Sequence, residues 1–223
     1  GLIGIPESAE TVALARDLLL IEQTGVRAHF SGLTSARAVD MLATAQARGL
    51  PVTADVAAYQ LLLCDEDLNG FSSLLHVMPP LRSAADRRAL REAVQSGVVQ
   101  AIASHHRPHE PEVKRVPFAA SAPGISSVEI LLPLALTLVA DGLLELPALL
   151  SRLTTGPAAA LNLQAGQLTL GGAADLTLFD PAKACEIGRN WLSRGANCPF
   201  IGQGAPAAVT HTLCNGKLVY QAN

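Results

Sequence analysis

Of the six histidines in this chain, three fall within five positions: His105, His106 and His109. Imidazole ligates zinc and works as a general base near neutral pH, so such a group could serve either chemistry. It follows an apolar run at 98–103, where a buried strand would deliver side chains to one end of a sheet. Histidine-rich loop ends are common without a metal, and the three are read as a polar strand-end cluster. Four cysteines (Cys64, Cys185, Cys198, Cys214) lie far apart with no C-x-x-C pair, as in a reduced, cytosolic chain. Cys64 stands beside Asp65 and Glu66, whose negative charge disfavours a reactive thiolate. There is no glycine-rich phosphate loop, nucleophile elbow or His-Glu-x-x-His motif.

The elements that must position these residues alternate. Helical spacing of Val12, Ala15, Leu18 and Leu19 predicts a helix over 8–23, stopped at Gly25. Strands are predicted at 26–31, 51–57 and 98–103. Between them stand helices at 35–48, closed by Gly49, and 83–96, opened by a Ser83-x-x-Asp86 capping box and ended by Gly97. A long apolar helix at 126–140 and shorter ones at 146–153 and 157–161 follow. Such an order implies right-handed crossovers and a parallel sheet with helices outside. From Gly166 the texture turns β-rich, at 167–170, 174–179 and 208–220. There Asn215-Gly216 between apolar runs signals a type I′ hairpin, and a long loop is expected at 189–206.

The chain has 223 residues, 49% hydrophobic and 16% charged, with net charge −3. Disorder is excluded, and the acidic balance, with no basic run, argues against a nucleic-acid partner. The longest apolar stretch, 130–140, is too short for a bilayer span and contains a proline, so no membrane association is expected. No secretory signal is visible, which fits a cytoplasmic location. The chain opens on Gly1 without an initiator Met and is read as a fragment.

Several segments, in one collinear order, resemble the C-terminal half of dihydroorotases of the cyclic amidohydrolase family. They are Gly4-x-Pro6-x-x-Ala9-Glu10, Thr24-Gly-x-Arg27-x-His29, Val52-Thr-Ala-x-Val56, Pro79-Pro-Leu-Arg82, Ile102-Ala-Ser-His-His-Arg-Pro-His109 and Ser126-x-x-Glu129-x-x-Leu-Pro-Leu134. The tail adds Gly166-x-Leu-x-x-Gly171-x-x-Ala-Asp175-Leu and Asn197-x-Pro-Phe-x-Gly202. The resemblance implies an α/β fold: the last part of a metal-dependent-hydrolase TIM-type barrel, strands six to eight with helices, over 1–163. A small antiparallel β-sandwich tail would occupy 164–223.

The family's reaction needs a metal-activated hydroxide and a carboxylate to shuttle the proton. Where the family has a histidine ligand after the sixth strand, this chain reads His29-Phe-Ser-Gly32, and glycine has no donor. His29 is no substitute on this reading, because three residues along a strand turn it to the opposite face from Gly32. The family's metal-binding, proton-shuttling Asp is His105, and its substrate-binding Asn is Met78. Its Pro-His-His is Ala58-Tyr59-Gln60, whereas His109 and Gly124 match family substrate contacts and are read as vestigial. Arg82 also matches, though it could simply pair with Asp86.

The resemblance therefore implies a non-catalytic dihydroorotase-like protein with neither metal nor other cofactor. Such chains assemble with the aspartate carbamoyltransferase catalytic chain in pyrimidine biosynthesis. The alternative is an active zinc-dependent cyclic amidohydrolase of dihydroorotase, hydantoinase or allantoinase type with a rearranged site. Three barrel strands alone would expose two edges and an inward apolar face, so a homo-oligomer is expected.

Overall fold

The computed structural model describes residues 2–188 and 191–222. Helix α1 (Ser8–Thr24) runs into β1 (Ala28–Phe30), and α2 (Ala36–Ala47) carries the chain to β2 (Val52–Ala57). Helix α3 (Ala84–Ser96) then leads to β3 (Ala101–Ala103). The three strands form one parallel sheet in the order β1-β2-β3, with His29 opposite Thr53 and Asp55 opposite Ala101.

The helix ends obey the predicted chemistry. Ser35 accepts from the Ala38 N–H at the start of α2. Ser83 and Asp86 cap α3 reciprocally, Ser83 Oγ accepting from Asp86 N at 3.2 Å and Asp86 Oδ2 from Ser83 N at 3.1 Å. Gly25 and Gly97 end α1 and α3 in the left-handed conformation, each returning its N–H to a carbonyl four residues back.

One face of the sheet carries Val52, Ala54, Val56 and Ile102, which share a core with Leu42 of α2 and Leu90 and Val94 of α3. The opposite face differs from the apolar one expected. Parallel register and strand alternation put His29, Thr53 and Asp55 there together. Their polar groups are accommodated there because His29 bonds both Thr53 and Asp55.

Helix α4 (Leu131–Ala140) starts later than 126. Ser126 gives its N–H to Asn197 O, and Ser127 bonds Ser104 O and His106, so both are tied elsewhere, and a 3₁₀ turn at Val128–Ile130 precedes the helix. Helices α5 (Leu146–Leu153) and α6 (Thr155–Ala160) complete this part.

Downstream, β4 (Leu176–Asp180) pairs antiparallel with β7 (Ala208–Cys214), which pairs with β8 (Lys217–Gln221). The short β5 (Cys185–Glu186) and β6 (Gly204–Ala205) form a separate ribbon. The β7–β8 turn is the predicted type I′, with Asn215 at φ 49° and Gly216 at φ 74°. The strand expected at 167–170 does not form. Gly172 N–H bonds back to Thr169 O, which curls the segment and leaves Leu168 and Leu170 exposed. The first residues of the loop expected at 189–206, Arg189 and Asn190, lie outside the described residues, as do Gly1 and Asn223. No described helix is long and apolar enough to cross a membrane.

Candidate functional site

Strand β2 is apolar except for Thr53 and Asp55, and Asp55 is buried. An isolated carboxylate at such a position is costly unless donors converge on it. They do. His29 Nε2 from β1 lies 3.0 Å from Oδ2, and His105 Nε2, just beyond β3, lies 2.8 Å from Oδ1. The Gly32 N–H adds a third bond to Oδ1 at 2.9 Å, and the Asp55 main-chain carbonyl accepts from Gly32 and Leu33. Burial opposes ionisation of Asp55, but hydrogen bonds from His105 and His29 outweigh it and hold the carboxyl well below the usual carboxylate range. Both imidazoles therefore present Nε2–H to a carboxylate. On its other side His29 Nδ1 meets Thr53 Oγ1 at 2.8 Å.

This corrects the expectation that His29 and Gly32 face apart. The strand ends at Phe30, and Gly32 turns with φ +77°, so strand alternation no longer relates positions 29 and 32. Sequence reasoning missed Asp55 altogether. The available signal was a charged residue inside a buried apolar strand.

The three clustered histidines do not act as one group. His105 goes to Asp55. His106 Nδ1 accepts from the N–H groups of Ser127 and Val128 at 2.9 and 3.1 Å. His109 Nε2 donates to Pro123 O at 3.0 Å, while its N–H is held by Asn197 Oδ1 at 2.8 Å. Gly124 likewise spends its N–H on His76 O and its carbonyl on Asn197 Nδ2. With φ 145° it lies so close to Arg107 that an added Cβ would come 2.6 Å from that side chain.

Met78 is half exposed and lines an open groove of about 1080 Å³ with His76, Arg82 and Phe118; neither His105 nor His109 lines it. Arg82 does not pair with Asp86, whose carboxylate is committed to Ser83 and to the Ala36 N–H. It reaches Thr34 Oγ1 at 3.1 Å, Ile5 O and, at 3.8 Å, Glu10. Tyr59 is buried, and burial pushes its phenol up to about 12, which rules it out as a base near neutral pH. Gln60 is buried with its amide on Pro79 O. Cys64 is buried, its N–H on Asp67 Oδ2.

A metal centre needs several lone pairs aimed at one point. Here the carboxylate lies between the two imidazoles, each Nε2 faces a different oxygen, and position 32 offers no donor. Among the described residues no three His, Cys, Asp or Glu side chains gather as ligands. The strand-end residues of this chain do not fit a metal.

A model of the amidohydrolase family matches residues 5–219. A "Dihydroorotase-like protein" of Pseudomonas aeruginosa is 65% identical over 221 residues, covering 99% of this chain and 52% of that protein. A "Dihydroorotase" of Syntrophus aciditrophicus is 43% identical over 222 residues, again 99% of this chain and 52% of its own length. The chain spans about half the length of the curated relatives it matches. Among solved structures, the D-hydantoinase (dihydropyrimidinase) of Thermus sp. superimposes with a TM-score of 0.89 at 23% identity, over 97% of this chain and 49% of that one. The inactive dihydroorotase-like domain of a Chaetomium thermophilum CAD-like multifunctional protein gives 0.70 at 22% identity, over 92% and 54%. At these identities the structures establish the fold: this chain has the amidohydrolase fold of the hydantoinases.

Proposed function

The chain belongs to the amidohydrolase family, and we propose that it is part of a non-catalytic dihydroorotase-like protein with a structural role in aspartate carbamoyltransferase assembly. On this reading its three parallel strands are the sixth to eighth of a barrel within residues 1–163, and residues 164–223 are a β-sandwich tail. The aspartate carbamoyltransferase catalytic chain is the partner, and the protein is a homo-oligomer of the cytoplasm.

One observation carries the reading. The groups that family chemistry would turn toward metal and substrate are spent inside the molecule. His105 is bound to Asp55, His109 to Asn197 and Pro123, and Gly124 to His76 and Asn197. Rebuilding a working site means breaking these bonds, each with a net worth of about 1 kcal/mol. The reaction class is that of the relatives' names, a dihydroorotase among them.

The test is a dihydroorotase assay of the full-length protein with and without added zinc, beside co-purification with the aspartate carbamoyltransferase catalytic chain. No turnover above background and stable co-purification are expected. Zinc-dependent turnover that falls with His105→Ala would replace this reading with that of an active cyclic amidohydrolase.

A further inference from the structure

Gly32 stands at a position where the backbone and a distant ring together exclude a side chain. Its φ of +77° is a conformation that L residues adopt at a cost. Independently of that, a Cβ added there would lie 2.8 Å from His105 Cε1 and 3.6 Å from each of the ring nitrogens. The space beside Gly32 is therefore filled by the His105 imidazole.

The ring has little freedom to retreat. Its Nε2 is fixed 2.8 Å from Asp55 Oδ1, the oxygen that also accepts the Gly32 N–H at 2.9 Å. The His105 backbone sits at φ +47°, a conformation uncommon for a residue with a Cβ and kept only where its surroundings hold it. Gly32, Asp55 and His105 thus close a loop of contacts: two N–H groups share one oxygen, and the ring packs where a side chain of residue 32 would lie. Across the carboxylate, Oδ2 binds His29 Nε2 at 3.0 Å, which brings in β1. A single buried carboxylate ties the ends of all three parallel strands.

We propose that Gly32 and His105 are a reciprocal pair, and that the His29–Asp55–His105 bridge is a proton-held brace joining the three strand ends. The absence of a donor at 32 and the imidazole at 105 then form one device, because the ring needs the glycine. This goes beyond the non-catalytic reading, which concerns what the site no longer does. It requires that a side chain at 32 be tolerated better once the ring at 105 is gone, and that both imidazole protons depend on Asp55.

A thermal double-mutant cycle tests the pair, with wild type, Gly32→Ala, His105→Ala and the double variant. The strain of a positive φ at 32 is common to both backgrounds and cancels, so the cycle isolates the clash. Gly32→Ala should lower Tm roughly twice as far in the wild-type background as in the His105→Ala background. Equal losses in the two backgrounds would overturn the pairing.

Should Gly32→Ala fail to fold, imidazole-proton NMR of the wild type decides. Two hydrogen-bonded Nε2–H signals are expected, protected from exchange, unchanged by zinc ions and lost in Asp55→Ala. Missing protected signals, or their disappearance at one equivalent of zinc, would overturn the brace. Neither readout depends on catalysis, so failure here leaves the non-catalytic reading to its own assay.

Discussion

Two buried polar residues organise the ends of this molecule's strands and loops, and they do so by opposite means. Asp55 is an ionised acceptor that gathers two side-chain imidazoles and one backbone N–H. Asn197 is a neutral amide that bonds backbone alone. Its Oδ1 takes the His109 N–H at 2.8 Å, its Nδ2 gives to Arg107 O and Gly124 O at 3.0 Å each, and its own carbonyl takes the Ser126 N–H. A carboxylate offers only acceptors, so it can clamp donors that other elements bring to it. An amide offers both polarities and can dictate the path of a loop. The difference matters when each is removed: the partially exposed imidazoles of His29 and His105 can turn to water, whereas the backbone groups around Asn197 cannot leave their chain.

The largest expected loss therefore belongs to Asn197. Asn197→Ala orphans one N–H and two carbonyls and should cost about 3 kcal/mol in urea denaturation. Asn197→Asp sharpens the point, since it keeps the acceptor for His109 and loses both donors. It should recover little of that loss, and near-complete recovery would mean that the single His109 bond carries the hub.

Asp55→Asn should cost less, about 2 kcal/mol, because the amide oxygen still accepts from one ring and the other, partly exposed, can turn to water. Its signature is the dependence on pH. The folded-state pKa of Asp55 is depressed, so its contribution is fully present above the unfolded value of about 3.9 and is lost as pH falls below it. The stability difference between wild type and Asp55→Asn should shrink steadily below about pH 4. A difference constant from pH 7 to pH 3 would show that the charge contributes nothing and would put Asp55 on the same footing as Asn197.

A repair sharpens the functional side of the comparison. Gly32→His with His105→Asp restores the family residues at both positions, and removing the ring opens the space beside residue 32. It leaves the positive φ at 32 and the internal bonds of His109 and Gly124 in place. No dihydroorotase activity above background is expected, and recovered turnover would show that two substitutions suffice to reopen the site.

Much of the fold was legible because its signals are local. Ser35, Ser83 with Asp86, Gly25 and Gly97 punctuate helices through contacts within four residues, and Asn215-Gly216 makes its turn alone. At Gly32 the residue type alone was legible, as a position with no side-chain donor, whereas Met78 stands apart in a groove that His105 does not line. The site was not legible at Asp55, whose partners lie 23 to 50 residues away and meet only in the sheet. His29 was misread because alternation was carried past the strand's last residue, Phe30. The alternative pairing of Arg82 with Asp86 fails because Asp86, three residues into the helix, is already committed to the cap. Leu168 and Leu170 show the converse failure: an alternating apolar pattern forms no strand among the described residues without a neighbouring ladder.

The smallest expected effect calibrates the brace itself. His105 and Asn215 share an unusual backbone, at φ 47° and 49°, yet only His105 is tied to a buried charge. Asn215 sits in an exposed type I′ turn, a place where asparagine tolerates the left-handed region nearly as well as glycine does. Asn215→Gly should therefore change stability by no more than about 0.5 kcal/mol, relief of backbone strain being offset by the wider freedom of glycine when unfolded. His105→Gly receives a comparable backbone relief but loses the bond to Asp55 and the packing against Gly32. Subtracting one result from the other removes the backbone term, and the remainder should be a net loss of about 1 kcal/mol. A remainder of zero in matched urea titrations would mean that the imidazole at 105 contributes nothing net, neither through its bond to Asp55 nor through its packing against Gly32, and that the brace does not stabilise the strand ends.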